Sequence, residues 1–525
     1  MRPLSLVLAG LLLSSGLSFA DDLDDAMGGF DEPSTETALD EEALSGFDDA
    51  ESDLDEDALA GFDDEESIDM SVVEEESGSN WYAFGGYVSI LGAYNYKQDG
   101  ALAAFPGDPS KGVPADKAMD FSGLSRARTK LDLSLEMRHS DNWKSRIEIM
   151  GWYDAAWAIN GRGNYTQDVL DTYEYFYDLK DAYIQGTLSS SIDIKIGRQI
   201  VIWGKSDSIR ITDVINPLDN REPGMVDIKD LRLTETMTKL DYYFGDYGLS
   251  AILIHEPRLQ IEPAFGSDYR PRDVFGTQPI PDTAFPERYE PNWDLKNTQY
   301  ALSLDGRYEG WDLSWYAANV MNSSFDISIQ DDNTPLRTFD KIYMLGVATN
   351  IVSGSWLYKA EAAYIMDINY RSVEDKKNRL DALIGVDYSG FSKTVLSFEL
   401  ADRHVFAYDS RLLAQASELN TPTTPPNKKV FPDFVREDTV QIAARASYTF
   451  DHDNASVNYL VSMFGSSNFH FQDGGFQRFW IDYKLNDSFT TNAGIVDYIG
   501  GDGVIPFFNA IKNNDRVYAE LIYNF

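Results

Sequence analysis

Residues 198–219 hold charged and amide side chains whose types and spacing are suited to selecting a solute. The sequence reads Gly-Arg-Gln-Ile-Val-Ile-Trp-Gly over 197–204 and Asp-Val-Ile-Asn-Pro-Leu-Asp over 213–219. A loop of about 30 residues is usually functional, and charges that it carries into a pore can form a constriction. The candidate constriction residues are Arg198, Gln199, Trp203, Gly204, Arg210, Asp213, Asn216, Pro217 and Asp219. The same side chains can instead form the salt bridges and turns that stabilise the loop itself.

A second set of candidate binding residues forms a threefold repeat near the start of the chain. Two acids, Ala, Met or Leu, a small residue, Gly, Phe and two acids recur over 24–32, 41–49 and 56–64. An apolar pair in an acidic frame suits a linear motif that binds pockets on a basic surface, and three copies add avidity. The predicted partner-binding residues are Met27, Phe30, Asp31, Leu44, Phe47, Asp48, Leu59, Phe62 and Asp63. The alternative is an acidic spacer whose repeats arose by duplication.

Side chains for catalysis or metal binding are sparse. The chain has 5 His and no Cys, which excludes disulfides, thiolate metal sites and cysteine nucleophiles. None of the His lies in a Gly-x-Ser-x-Gly or His-Glu-x-x-His sequence, and the acids at 331–332 do not match a calcium loop. We therefore predict no enzymatic activity, no cofactor, no metal and no nucleic-acid partner.

The two ends of the chain carry targeting patterns. The last residues alternate as a strand with one apolar face would, and this ending resembles the sorting signal of bacterial outer-membrane β-barrels. We predict that the barrel-assembly machinery reads Leu521, Tyr523 and Phe525. At the other end, Arg2, a short apolar run and Ser-Phe-Ala at 18–20 predict a signal peptide over residues 1–20.

The segment that follows the signal peptide is strongly acidic. Residues 21–80 hold 25 Asp or Glu and no Lys or Arg, within a chain of net charge −42. Such a segment cannot bury enough apolar surface to fold, so we predict a disordered tail. Both ends of a barrel with an even strand number lie on the periplasmic side, which places the tail in the periplasm.

Residues 81–525 are predicted to form an all-β, transmembrane antiparallel β-barrel. No apolar stretch is long enough for a membrane helix, and the aromatic content of 13% suits the girdles of a barrel. Leu131, Leu133, Leu135 and Met137 share one face of a strand, and the opposite face is expected to line the lumen. The lumen-facing set is Arg126, Arg128, Lys130, Asp132, Glu136 and Arg138. A large secreted β protein, such as a sandwich or a solenoid, is the alternative.

Turn residues divide this region into about 18 strands, with about 16 as the alternative count. Short connections are predicted at 140–142, 245–247, 309–310, 353–354, 389–390, 451–454 and 486–487. Longer connections lie between them, and short periplasmic turns with long outer loops are typical of outer-membrane barrels. A barrel of this width has a lumen that wall side chains cannot fill, so we expect loops to narrow it.

The run from Gly197 to Asp219, followed by Lys-Leu at 239–240 and His-Glu-Pro at 255–257, resembles a known family. This is a proteobacterial outer-membrane family called domain of unknown function 1302, and the resemblance covers roughly residues 81–525. It implies a porin-like barrel, often encoded beside RND-superfamily exporters of hydrophobic compounds. It therefore also implies a role in moving apolar molecules to or across the outer membrane.

The expected function is an outer-membrane channel or transport barrel, set in outer-membrane lipid, for hydrophobic or amphiphilic small molecules. The acidic tail is expected to dock a periplasmic or inner-membrane RND transporter. The alternatives are a general or substrate-selective porin without a partner, or a structural anchor of the envelope. A receptor with an internal plug is disfavoured, because no folded plug domain is predicted before Trp81.

Overall fold

The computed structural model describes most of the chain beyond the predicted tail. The described residues are 81–98, 100, 118–225, 231–270, 287–289, 291–329, 335–414, 433–505 and 507–525. The predicted signal peptide (residues 1–20) and acidic tail (residues 21–80), with its threefold repeat, lie outside the described residues.

Strands dominate the described part of the chain. In chain order they are β1 (Tyr82–Asn95), β2 (Gly123–Ser140), β3 (Trp143–Asp154), β4 (Tyr175–Ser189), β5 (Ile192–Gln199), β6 (Glu235–Phe244), β7 (Tyr247–Ile254), β8 (Glu287–Arg288), β9 (Gln299–Tyr308), β10 (Trp311–Ile329), β11 (Pro335–Ser353), β12 (Trp356–Ile368), β13 (Lys377–Phe391), β14 (Thr394–Val405), β15 (Asp438–Phe450), β16 (Ala455–Ser466), β17 (His470–Asn486), β18 (Phe489–Ile499) and β19 (Arg516–Asn524). Three short helices, α1 (Ala156–Ile159), α2 (Gln167–Tyr173) and α3 (Phe507–Ile511), lie in connections, with 3₁₀ turns at Arg162–Asn164 and Ser410–Leu413. Within the described ranges, no helix has the length and apolar character needed to cross a bilayer.

The strands close into an antiparallel β-barrel. Each pairs with the next along the chain, apart from the two-residue β8, which pairs only with β11. β1 pairs with both β2 and β19, from Tyr87 opposite Asn524 to Asn95 opposite Arg516. The backbones of Gly86 and Phe525 exchange two hydrogen bonds of 3.0 Å at the end of this seam. Among the described residues eighteen strands therefore form the closed wall, which confirms the predicted count.

The connections alternate in length around the barrel. Two- to four-residue turns join β2 to β3, β4 to β5 and the following pairs at one end of the barrel, called here the short-turn end. The opposite end carries the longer connections, apart from the three residues between β16 and β17, and both the start of β1 and the end of β19 lie at the short-turn end. One predicted turn was wrong: β13 continues past Ser389-Gly390 to Phe391, because a register shift after Tyr388 moves the turn to Ser392-Lys393.

The outer face of the wall is apolar and is ringed by aromatic side chains. Near the short-turn end, Tyr308 stacks on Trp311 with ring centroids 4.3 Å apart, and Trp356 lies 4.4 Å from Tyr388. Tyr523 also contacts Phe489 there at 4.9 Å. Exposed aromatic residues recur near the loop end of the wall, at Tyr94, Tyr153, Tyr175, Tyr177 and Tyr300. Exposed aliphatic side chains lie between the two rings, among them Ile90, Leu131, Ile147, Ile184, Leu253, Leu302, Ile384, Val517 and Leu521.

A glycine at position 197 lets β5 approach β4 closely. Gly197 has a φ of +128°, and a Cβ there would lie 2.2 Å from the carbonyl oxygen of Ala182. Only glycine adopts this conformation without strain and leaves room for that oxygen. Glycine at this position therefore allows the backbones of β4 and β5 to come this close.

We expect deletion of residues 521–525 to prevent barrel closure. The deletion removes the β19 partners of Tyr87 to Ile90 on β1 and the Gly86–Phe525 hydrogen bonds, so backbone groups of two strands lose their partners in an apolar environment. The compact band that unheated barrels give on a denaturing gel should be nearly lost. Asn524→Ala is the control, since it keeps the backbone ladder. A normal compact band from the truncated chain would contradict the seam as the closing element.

Candidate functional site: the inner segment of the lumen

The chain between β5 and β6 enters the barrel instead of forming an outer loop. We call its described residues, 200–225 and 231–234, the inner segment. Its side chains and backbone contact β12 and β14, which are six and eight positions from β5 in the ring of strands. The inner segment therefore crosses the lumen.

A carboxylate on β12 holds the tip of the inner segment against the far wall. Glu361 points inward and is 4% exposed. It accepts hydrogen bonds from the backbone N–H groups of Lys205 at 2.5 Å and Ser206 at 2.6 Å. It also accepts one from the hydroxyl of Thr212 at 2.8 Å. A buried non-helical backbone needs partners for its N–H groups, and Glu361 supplies them.

A second carboxylate, on β14, binds the next residues of the tip. Glu399 is 1% exposed and accepts from the hydroxyl of Ser206 at 2.8 Å and the backbone N–H of Asp207 at 2.9 Å. Lys359 on β12 forms ion pairs with Asp207 and, at 2.7 Å, with Asp387. Two wall strands thus fix one short stretch of backbone in the lumen.

Trp203 and Gly204, both predicted constriction residues, lie beside this anchor. The Trp203 ring stacks on Tyr316 of β10 with centroids 4.7 Å apart. Gly204 has a φ of +97°, and a Cβ there would lie 2.9 Å from both carboxylate oxygens of Glu361. Glycine at this position therefore allows the backbone to reach the carboxylate.

Three of the other predicted residues form one polar network within the inner segment. The carboxylate of Asp213 pairs with Arg210 at 3.2 Å and with Arg232 at 3.0 Å. The Asn216 side chain accepts from the backbone N–H of Val201 at 2.8 Å and donates to a backbone carbonyl at 2.9 Å. These contacts join the two legs of the segment, which corresponds to the loop-stabilising interpretation of the sequence.

The remaining predicted constriction residues lie at the base of the inner segment, where β5 ends, and farther along the segment at residues 217–219. Arg198 pairs with Glu256 at 2.8 Å, and the Gln199 amide donates to a β6 carbonyl at 3.3 Å, so both stay at the wall. Pro217 accepts a backbone hydrogen bond of 2.7 Å from residue 233. Asp219 forms an ion pair with Arg221. The structure therefore does not gather all nine candidates at one point.

The other side of the inner segment is anchored on the charged strand β2. Glu222 pairs with Arg128 at 2.8 Å and also with Arg126. Burial alone would raise the pKa of Glu222, but the two guanidinium groups hold it well below its usual range. Arg221 covers the Phe176 ring at 4.0 Å. Two of the predicted lumen-facing residues thus bind the inner segment.

The rest of the predicted lumen-facing set on β2 lies lower in the barrel. Asp132 lies 3.5 Å from Lys180, and Glu136 pairs with Arg146 at 2.7 Å. The Lys130 ammonium lies 5.1 Å from the Tyr87 ring centroid, and Arg138 is at the short-turn end of β2, where it is exposed. Glu136 therefore joins β2 to its neighbour β3, and Asp132 reaches across β3 to β4.

One half of the lumen wall, on β6 to β14, carries a large apolar cluster beside the anchoring charges of Lys359, Glu361 and Glu399, and the expectation of a polar interior had missed this cluster. Apolar side chains of the inner segment, including Val201, Ile209, Ile211 and Ile215, pack against this half in one core. The wall residues of that core include Met237, Ile252, Ile254, Val320, Ile342, Met344, Ile365, Leu383 and Val405. The inner segment makes an apolar wall possible because it excludes water from it.

Sequence reasoning also missed the anchoring residues Lys359, Glu361 and Glu399. The sequence held a pattern that could have identified two of them. Lys359 and Glu361 alternate with outward-facing residues on β12, and they face the lumen with Ala363 and Ile365. Their partners lie more than 140 residues away along the chain, so spacing alone could not show the contact. Among the described residues no group of acids and His forms a metal site.

Residues 90–525 match the sequence profile of a family described as a protein of unknown function (DUF1302). No curated protein sequence matches the chain.

Several solved structures resemble this barrel at low identity. OccAB1 of Acinetobacter baumannii is 9% identical, with 84% of this chain and 96% of that chain covered and a TM-score of 0.44. The outer membrane channel DcaP of the same organism is 12% identical, with coverage of 85% and 97% and a TM-score of 0.38. OprB of Pseudomonas putida is 9% identical, with coverage of 87% and 96% and a TM-score of 0.39.

We expect Glu361→Gln with Glu399→Gln to release the tip of the inner segment. Each charge-assisted hydrogen bond contributes about 1.5–3 kcal/mol, and the new amide N–H₂ groups would face backbone donors. The chain has no Cys, so a single Ser208→Cys reports on the tip, where Ser208 is 2% exposed. Maleimide labelling should become about tenfold faster or more.

Glu136→Gln serves as the matched control for this experiment. Glu136 is also a lumen carboxylate, but its ion pair is with Arg146 on the neighbouring strand. Unchanged labelling in the double variant would show that the two carboxylates do not hold the tip in place.

Proposed function

The chain belongs to the DUF1302 family, and we propose that it is an outer-membrane channel whose inner segment controls the passage of small molecules. The observation that carries the proposal is a closed wall of eighteen described strands crossed by an anchored, non-regular segment. A ring this wide encloses more space than wall side chains fill. A segment held across that space narrows the lumen, so that only some solutes can pass through the channel.

The outer face supports a membrane location. Phe84 and Tyr94 belong to the lower and upper aromatic rings and lie ten positions apart on β1. At a rise of about 3.4 Å per residue and a tilt of about 40°, this is a height of about 26 Å. Outer-membrane barrels have an apolar band about 25 Å tall between aromatic girdles. By the same comparison, the short-turn end would face the periplasm.

The apolar half of the lumen supports a hydrophobic or amphiphilic cargo. Ile342, Met344 and Ile365 face inward on neighbouring strands, where a general porin would present polar side chains. The opposite half carries ion pairs such as Arg146–Glu136. The inner segment covers these wall residues, so a molecule with an apolar body and a polar end would reach both environments where the segment moves aside.

The acidic tail supports a partner in the periplasm. β1 begins at Tyr82 at the short-turn end, so the residues that precede it join the barrel on that side. The repeated Phe and Asp residues offer apolar anchors in an acidic frame to a basic groove. We propose that this partner is a periplasm-spanning or inner-membrane RND transporter, which would deliver or receive the cargo.

The purified full-length chain should carry current across a planar bilayer. We expect a small conductance, because the inner segment narrows the lumen, and a larger one when residues 205–212 are replaced by a Gly-Ser linker of equal length. A matched replacement of the turn at 451–454 should leave conductance unchanged. No current, together with no solute flux into liposomes, would support the envelope-anchor alternative and refute the channel.

Docking through the tail depends on its three repeated phenylalanines. In cells, the triple variant Phe30→Ala, Phe47→Ala and Phe62→Ala should lose most cross-linking to an RND transporter. The control changes three apolar residues of the same tail outside the repeats, Leu39, Leu54 and Ile68, to Ala. Equal recovery of the transporter with both variants would mean that the repeats do not form the docking motif. Current without any cross-linked transporter would favour a porin that works alone.

A further inference from the structure

A cavity lies between the inner segment and the upper part of the apolar wall. Its volume is about 60 Å³, and it is lined by inner-segment residues such as Ile215 and Leu218 and by the wall residues Met321, Ile342 and Ile365. A volume of about 10–15 Å³ on this scale holds one water, so the cavity has room for several non-hydrogen atoms. About half of its lining residues are apolar, and the others are polar or charged.

Three polar side chains of the lining have an atom without a hydrogen-bond partner in the described part of the chain. One of them, Arg210, has its Nε in an ion pair with Asp213 at 3.2 Å, which leaves two uncommitted groups. Glu235 on β6 and Gln299 on β9 are each 1% exposed. The free atoms are Oε2 of Glu235 and Nε2 of Gln299. The Oε1 atom of Gln299 accepts from the backbone of Met321 at 2.5 Å, which fixes the amide orientation. The cavity therefore offers one acceptor and one donor.

The register places these two groups on the same face of the wall, two strands apart. Met237, Ile254 and Gln299 form one row across β6, β7 and β9, and Glu235 lies two positions from Met237 on the same face. Two strand spacings separate the backbones by about 10 Å. A small molecule between them can reach both side chains.

The cations of the lining are already paired with acids. Arg258 pairs with Asp178 at 2.9 Å, and Arg379 pairs with Asp381 at 2.7 Å. An anionic ligand would therefore lose its hydration in the cavity with no uncommitted guanidinium to offset that cost. A neutral ligand avoids this desolvation cost.

We propose that this cavity binds a neutral, mostly apolar molecule that carries hydroxyl groups. A hydroxyl donates its O–H to Glu235 Oε2, and a hydroxyl oxygen accepts from Gln299 Nε2, while the apolar lining residues contact the hydrocarbon. A buried polar atom left without a partner is costly, so a hydroxylated molecule binds better than an alkane or a carboxylate. This inference rests on the proposed channel function and names its preferred class of solute.

The test uses a diazirine-bearing octanol on the purified full-length barrel, with labelled residues mapped by mass spectrometry. We expect labelling at the cavity, at Ile215, Leu218 or Met321, and competition by 1-octanol that exceeds competition by octanoate or octyl methyl ether. Glu235→Gln and Gln299→Glu should each reduce this labelling about two- to tenfold, the effect of one hydrogen bond. Both changes preserve side-chain shape, and Gln299→Glu keeps the Oε1 acceptor.

Gln185→Glu is the matched control, because Gln185 lies on β4 outside the cavity. A compact gel band from unheated samples verifies that each variant folds. No labelling at the cavity, equal competition by octanoate, or full labelling in both Glu235→Gln and Gln299→Glu would overturn the proposal. Labelling and conductance are measured separately. A barrel that conducts but is not labelled at the cavity refutes this inference and leaves the channel function intact. A barrel that is labelled at the cavity but shows no flux refutes the channel function.

Discussion

The width of the barrel is the constraint on which the rest of the structure depends. A wall of eighteen strands leaves a lumen that its own side chains cannot fill, and in this barrel the inner segment occupies part of it. A non-regular segment inside a barrel brings backbone N–H groups away from water, and each of them needs an acceptor. Glu361 and Glu399 supply acceptors at the tip, where the hydrogen bonds of Ser206 measure 2.6–2.8 Å. The anchoring carboxylates therefore supply the acceptors that a segment inside so wide a barrel needs.

The inner segment also explains why the two halves of the lumen differ. Its apolar side chains cover an aliphatic wall, whereas its acidic end meets β2, where Glu222 pairs with Arg126 and Arg128. Buried charges are costly to desolvate, and their close pairing offsets that cost. The inner segment thus packs its apolar side chains against one half of the barrel wall. On the other half, its Glu222 carboxylate neutralises the charges of Arg126 and Arg128.

The outer face and the inner segment suit the same proposed function. Two aromatic rings fix the height of the wall, and the short-turn end holds the start of β1, to which the acidic tail is joined. A partner bound to that tail would be held near the short-turn mouth of the lumen. The local concentration of cargo at that mouth would then depend on the tail, whereas selection would depend on the inner segment.

The sequence by itself determined the wall. Two-residue alternation predicted which side chains face outward, as at Val517, Leu521 and Tyr523, and turn residues predicted the strand number and the alternating connection lengths. These features are local, because a strand repeats every two residues and a turn needs particular residue types. The turn near Ser389 was misplaced, because a register shift depends on the neighbouring strand.

Only the tertiary structure decided how the lumen is filled. Arg210, Asp213 and Asn216 could be read as a constriction or as a loop scaffold, and their contacts with one another and with Arg232 show a scaffold. The anchor between Ser206 and Glu399 joins residues 193 positions apart. The apolar half of the wall likewise depends on a segment that covers it from inside. Such contacts arise from barrel closure, which brings distant strands together across the lumen, and no local pattern encodes them.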